Sequence, residues 1–181
     1  MRSFHPTAIA RKKLSMPMRT VVEKNIINKD DWILDYGCGR GDDVKHLREQ
    51  GYDCTRGYEP NMPDPDFIID KEEEYLPKFK FNMVTLIYVL NAIEGIEKRK
   101  EILRRAFYLS DKHILIAVRT EKINGVPYKD GVRTKRKTFQ KRYTTEELLV
   151  FIQSALGDLA RHKVIQKVIK PGMVLLTKEQ T

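Results

Sequence analysis

A short apolar run that closes on an acid and then on three alternating glycines constrains this chain more than any other feature. The stretch is "WILDYGCGRGDD", residues 32–43. Asp35 ends the run, Gly37, Gly39 and Gly41 follow, and Asp42 and Asp43 come next. An apolar run this short reads as a buried strand. Glycines after it let the backbone take dihedrals that side chains forbid, and let a ligand come close. Strand, glycine turn, helix is the opening unit of an open α/β sheet, whose ligands lie beyond the carboxyl ends of the strands.

The rest of the chain continues that pattern. A basic arm, residues 1–24, leads into a helix near "PMRTVVEKNII", with Pro17 at its start. "DDVKHLREQG" is a helix closed by Gly51, and "DCTRGYEPN" a second strand ending at Glu59-Pro60. "MPDPDFIIDKEEEYLPKF" reads as irregular and acidic, with room for one short strand at "FIID". "FNMVTLIYVLNAIE" begins as a strand, "EKRKEILRRAFYLS" has helical periodicity, and "KHILIAVR" is another strand. Residues 119–145 show little periodicity and read as a long loop. "TTEELLVFIQSALG" opens with a capping box and is a helix, and "KVIQKVI", Pro171-Gly172, "MVLLT" is a β-hairpin. The expectation is a three-layer α/β fold, its sheet mostly parallel and closed by the C-terminal hairpin, forming one domain over residues 25–181.

Three ligand classes use such a glycine turn. A P-loop requires GxxxxGK and Ser or Thr, which this chain lacks. The dinucleotide fingerprint GxGxxG puts its third glycine one place later than Gly41, and Asp42 and Asp43 would repel a diphosphate at the helix start. S-adenosylmethionine carries an ammonium and a cationic sulfur, and suits an acidic rim. The candidate cofactor cradle is Asp35, Tyr36, Gly37, Cys38 and Gly39, with Asp35 toward the amino-acid end. Glu59, 18 residues beyond Gly41, is placed to accept both ribose hydroxyls. Pro60 and Met62 are candidates to flank the adenine and Asp70 to meet its amine, although Asp70 opens an acidic run that also reads as a solvated face.

Ile87 and Tyr88 fall at the end of the next clear strand, where an aromatic ring offers a π face to the sulfonium. Tyr88 and Asn91 are the candidate catalytic residues, Asn91 orienting an acceptor by hydrogen bonding. No DPPY or NPPY tetrapeptide and no Pro-Cys pair stands here, so the two best-known DNA methylation chemistries lack their usual residues. Methyl transfer needs no obligatory base, since bringing the reactants together supplies roughly 7–11 kcal/mol. His5, His46, His113 and His162 read as ordinary histidines.

Charge points to the partner. The net charge is +9: residues 1–24 contribute +5, residues 119–145 contribute +7, and the remainder is mildly acidic. Two basic segments on an acidic body suit a polyanion, because neutralised phosphates release counterions. Arg133, Lys135, Arg136, Lys137 and Lys141 are candidates to grip phosphates, with Phe139 or Tyr143 stacking on a base. No apolar run is long enough to span a membrane, and no secretory signal stands at the start. Cys38 and Cys54 have no metal-ligand spacing, which implies no metal site and a reducing cytoplasm.

With these residues in place, the chain resembles the class I S-adenosylmethionine-dependent methyltransferases. It is more closely similar to a family of DNA phosphorothioation-associated methyltransferases, through "TAIARKKLSMPMR", "DYGCGRGDDV", "YEPNMP", "IYVLNAIE", the stretch from "DGV" to "EEL", and the closing Pro171-Gly172. The resemblance implies a Rossmann-like fold, S-adenosylmethionine as cofactor with S-adenosylhomocysteine as product, and a DNA-modification or phage-defence setting. It also gives the arm a role over the cofactor, through Arg11 and through Arg19 paired with the methionine carboxylate. The expected activity is methyl transfer to DNA, RNA or a nucleotide-like anion. The alternatives are a small-molecule methyltransferase and a non-catalytic nucleic-acid-binding subunit with the same fold.

Overall fold

A computed structural model describes residues 8–60, 68–69, 79–157 and 164–179. Met62, Asp70 with its acidic run, His5 and His162 lie outside them. The central sheet has seven strands: β1 (Ile33–Tyr36), β2 (Thr55–Tyr58), β3 (Ile68–Ile69), β4 (Phe81–Ile87), β5 (Ser110–Ala117), β9 (Val164–Lys170) and β10 (Met173–Lys178). Their order is β3-β2-β1-β4-β5-β10-β9. Pairing is parallel from β3 to β5 and antiparallel at β10 and β9. The chain leaves β1 outward to β2 and β3, then crosses back to β4. That reversal opens a crevice at the carboxyl ends of β1 and β4.

Alternation along the strands builds two cores. Ile114, Ile116, Val174 and Leu176 pack on one face with α3 (Ile96–Leu109) and α4 (Thr145–Leu156). Their neighbours Leu115, Ala117, Met173 and Leu175 pack on the other with Met18 and Val21 of α1 (Met16–Glu23) and Leu47 of α2 (Asp42–Glu49). Adjacent residues on a strand face opposite ways, so a continuous apolar run serves both layers.

The helix ends follow their sequence signals. Ser15 Oγ accepts from Met18 N ahead of Pro17, and Thr144 and Glu147 close a reciprocal capping box on α4. Asp42 and Asp43 occupy the first turn of α2, where the helix dipole favours acids.

One expectation is corrected. The basic stretch is not a plain loop: β6 (Val126–Tyr128), β7 (Gly131–Arg133) and β8 (Phe139–Gln140) form a small antiparallel sheet within it. Arg99, fully buried on α3, pins it by an ion pair with Asp130 in the β6–β7 turn.

Candidate active site

The glycine turn is tied down by its own backbone. Gly37 N and Cys38 N donate to Tyr58 O at 2.8 and 3.1 Å, so the exits of β1 and β2 are locked together. Gly37 has φ +85°, and a Cβ there would stand 2.6 Å from a methyl of Val89. Gly39 has φ +58° and packs under Ala8 of the arm. Neither position accommodates a side chain. Glu59, nearly buried, receives the Gly39 N–H on Oε2 at 3.3 Å and borders the same space.

That space is a cleft of about 2090 Å3, at least twice a typical small-ligand site of about 300–1,000 Å3, and so large enough for cofactor and substrate together. Tyr36, Gly37, Cys38, Gly39, Glu59 and Pro60 line one end, and Ile87, Tyr88 and Asn91 line its floor. Arg133, Lys135 and Arg136 reach it from the small sheet.

Several expected residues are elsewhere. Asp35 is buried behind the turn, where Thr85 Oγ1 donates to its Oδ1 at 2.8 Å. Burial, and then Asp43, push its carboxyl up to about 7. Arg19 sits on α1 outside the cleft with its guanidinium 3.9 Å from Glu23; the arm arginine on the cleft wall is Arg11. Phe139 and Tyr143 are buried, Phe139 against Gly131 and Tyr143 against Phe151, so neither presents a ring for stacking. Lys141 turns to Asp130, its Nζ 3.2 Å from the carbonyl and 3.8 Å from the carboxylate, and Lys137 occupies the β7–β8 turn with φ +59°. Neither lines the cleft.

The acids after the glycines hold protein. Arg11 N donates to Asp42 Oδ2 and Ser15 N to Asp43 Oδ1, each at 2.6 Å. These bonds draw the arm across the turn, with Ala8, Ile9 and Arg11 on the cleft wall. Sequence reasoning also passed over Gln140, whose Oε1 accepts from Asn91 Nδ2 at 3.0 Å, and the basic side chains Lys98, Arg105 and Arg119.

Tyr88 carries backbone strain. Its φ is +59°, a region costly for a bulky residue, and its N–H is held by Ala117 O at 2.8 Å. Such strain concentrates at functional sites. Burial pushes the Tyr88 phenol up, so it is protonated at neutral pH. Burial likewise raises the Cys38 thiol, which is then no nucleophile at neutral pH. His113, its pKa lowered by burial, hydrogen-bonds Thr177 at 3.1 Å, and His46 pairs with Glu49; neither lines the cleft. No cluster of three metal-binding side chains occurs among the described residues.

A family model described as a methyltransferase domain matches residues 7–141. No curated protein matches the chain. Among solved structures, magnesium protoporphyrin IX methyltransferase from Synechocystis with bound S-adenosylmethionine is 17% identical, with a TM-score of 0.52 over 91% of this chain and 76% of that one. The sugar N-methyltransferase KedS8 from Streptoalloteichus is 10% identical, with a TM-score of 0.63 over 98% and 97%. A chain of the Pnkp1/Rnl/Hen1 RNA repair complex is 13% identical, with a TM-score of 0.62 over 90% of this chain and 40% of that one. The chain belongs to the methyltransferase domain family and is an S-adenosylmethionine-dependent methyltransferase with the class I Rossmann-like fold.

Proposed function

We propose that this methyltransferase acts on nucleic acid or a nucleotide-like anion. The cleft fits its cofactor first. At positive φ, Gly37 and Gly39 line the cleft with bare backbone, and Glu59 offers a nearly buried carboxylate beside them. Those residues would hold the nucleoside, and Tyr88 and Ile87 would flank the sulfur. When bound, S-adenosylmethionine supplies a methyl group on a cationic sulfur.

The observation that carries the substrate reading is the charge of the cleft wall. Arg11 comes from the arm, Lys98 and Arg105 from α3, Arg119 from the exit of β5, and Arg133, Lys135 and Arg136 from the small sheet. Against these seven cations stand Glu59, Glu101 and Glu121. Lys135 and Arg136 form no ion pair among the described residues, so their charge is available to phosphate. A DNA-modification or phage-defence role, implied by the phosphorothioation-associated resemblance, belongs to this reading. So does a cytoplasmic location; no helix among the described residues is long and apolar enough to cross a membrane.

A second reading, a small-molecule methyltransferase, draws on the porphyrin and sugar enzymes that share the fold. Incubating the protein with tritiated S-adenosylmethionine and, separately, DNA, RNA and a metabolite extract distinguishes them. Label that precipitates with polymer and is released by nuclease is expected. Label confined to uncharged metabolites counts against the proposal, and no label in any fraction supports a binding subunit.

A further inference from the structure

A residue lining the cleft carries a buried acceptor that nothing among the described residues satisfies. Asn91 is 2% exposed and lines the cleft, yet its Oδ1 has no hydrogen-bond partner among the described residues. Buried side-chain oxygens are nearly always paired, so an orphan on a ligand-cleft wall calls for a partner from outside the chain.

The Asn91 amide is also held in place. Gln140, 7% exposed and on the same cleft wall, takes the Asn91 Nδ2–H on its Oε1 at 3.0 Å. Lys141 N donates to Asn91 O at 2.7 Å, which anchors the backbone beneath. One N–H of the amide is thus used within the protein, while its oxygen has no partner among the described residues. Two residues along the chain from it, Val89 packs against Gly37, and Tyr88 next to that carries the strained backbone.

We infer that Asn91 Oδ1 selects a substrate carrying an N–H2 donor, and that Gln140 is a positioning residue that keeps the oxygen, not the nitrogen, turned to it. This rests on the reading of the substrate as a nucleotide-like anion. The ligand class is then a phosphate-bearing base with an amine, where a carbonyl at the same ring position would set oxygen against oxygen. No contiguous DPPY-type tetrapeptide supplies this acceptor. The fold assembles it from the exit of β4 and from β8, residues 49 apart in sequence.

The test is binding to the full chain saturated with S-adenosylhomocysteine, read by calorimetry. The probes are adenosine against inosine 5′-monophosphate, and cytidine against uridine 5′-monophosphate; each pair exchanges an amine for a carbonyl. The amine-bearing member is expected to bind at least about tenfold tighter, the scale of one buried hydrogen bond made or lost. Asn91→Asp keeps the acceptor and frees Gln140 to donate to it, so the preference persists. Asn91→Leu abolishes the preference, with S-adenosylhomocysteine affinity unchanged as the check on folding. Equal affinities overturn the inference but leave the anion reading standing. A preference for the carbonyl forms, the signature of a reversed amide, overturns it too. Binding of none of the four overturns both. Should Asn91→Leu fail the folding check, loss of the preference in Asn91→Asp is the overturning result.

Discussion

Asp35 pays for its position in the ionised form. It stands beside Thr85 across the β1–β4 ladder, 4% exposed, with Asp43 nearby. Burial and that neighbouring acid lift its carboxyl from the usual 3.8 to about 7. The folded chain therefore holds a proton there that the unfolded chain has lost. Stability from this group is full below about pH 4, declines as pH rises toward about 7, and is flat above. Asn in its place keeps a carbonyl for the Thr85 hydroxyl and carries no charge. Urea midpoints of wild type and Asp35→Asn, compared at about pH 5 and about pH 8, should diverge by more than about 1 kcal/mol in favour of the variant at the higher pH. Parallel pH curves would count against a buried proton at Asp35. This residue was legible in sequence as an acid before glycines, but its depth was not. Burial is set by α1 and α2 closing over that face, and a position in a strand does not say which layer arrives there.

At the scale of elements, the small sheet depends on one buried cation. Arg99 has no exposed surface; its Nη2 pairs with Asp130, its Nη1 donates to Ile93 O at 3.2 Å, and its Nε has no partner among the described residues. Its guanidinium lies 5.8 Å from the Phe139 ring. Asp130→Ala leaves that charge buried and uncompensated. The cost of breaking a fully buried pair is about 3–5 kcal/mol; because Asp130 is 41% exposed, about 2 kcal/mol is expected. The loss should be local, so amide exchange in β6–β8 should accelerate while S-adenosylhomocysteine affinity holds. Unchanged protection of the Lys137 amide, which donates to Thr134 O at 2.8 Å, would show that the clamp is not what holds the sheet. The large strands, the helices and the hairpin were readable because each repeats its pattern over several residues. Strands of three, three and two residues, one containing Pro127, leave too short a period to see. The same gap explains Phe139 and Tyr143: in a loop they read as stacking rings, but Phe139 lies in a sheet pinned to α3, and Tyr143, beyond that sheet, packs against Phe151 of α4.

On the scale of the molecule, charge is sorted by the fold. Acids gather where β1 and β2 end, at Asp35, Asp42, Asp43 and Glu59, of which Glu59 lines the cleft, while six of the seven cations on its walls come from α3, the exit of β5 and the small sheet. A cationic cofactor and an anionic substrate can then share one cleft. Composition showed the imbalance in advance, and the fold placed it: Lys137 and Lys141 do not line the cleft, whereas Lys98 and Arg105 of α3 do. If phosphates are held at Arg133, Lys135 and Arg136, affinity for a single-stranded oligothymidylate on the order of a dozen nucleotides should fall steeply with salt. Each single-strand phosphate contact contributes about 0.7 to the slope of log affinity against log salt. Replacing all three with Ala should therefore flatten the slope by about 2, and leave S-adenosylhomocysteine affinity unaltered, since the residues proposed to hold that ligand, Gly37, Gly39 and Glu59, are untouched. A wild-type slope near zero would instead favour an uncharged acceptor, and the basic side chains would then serve solubility alone.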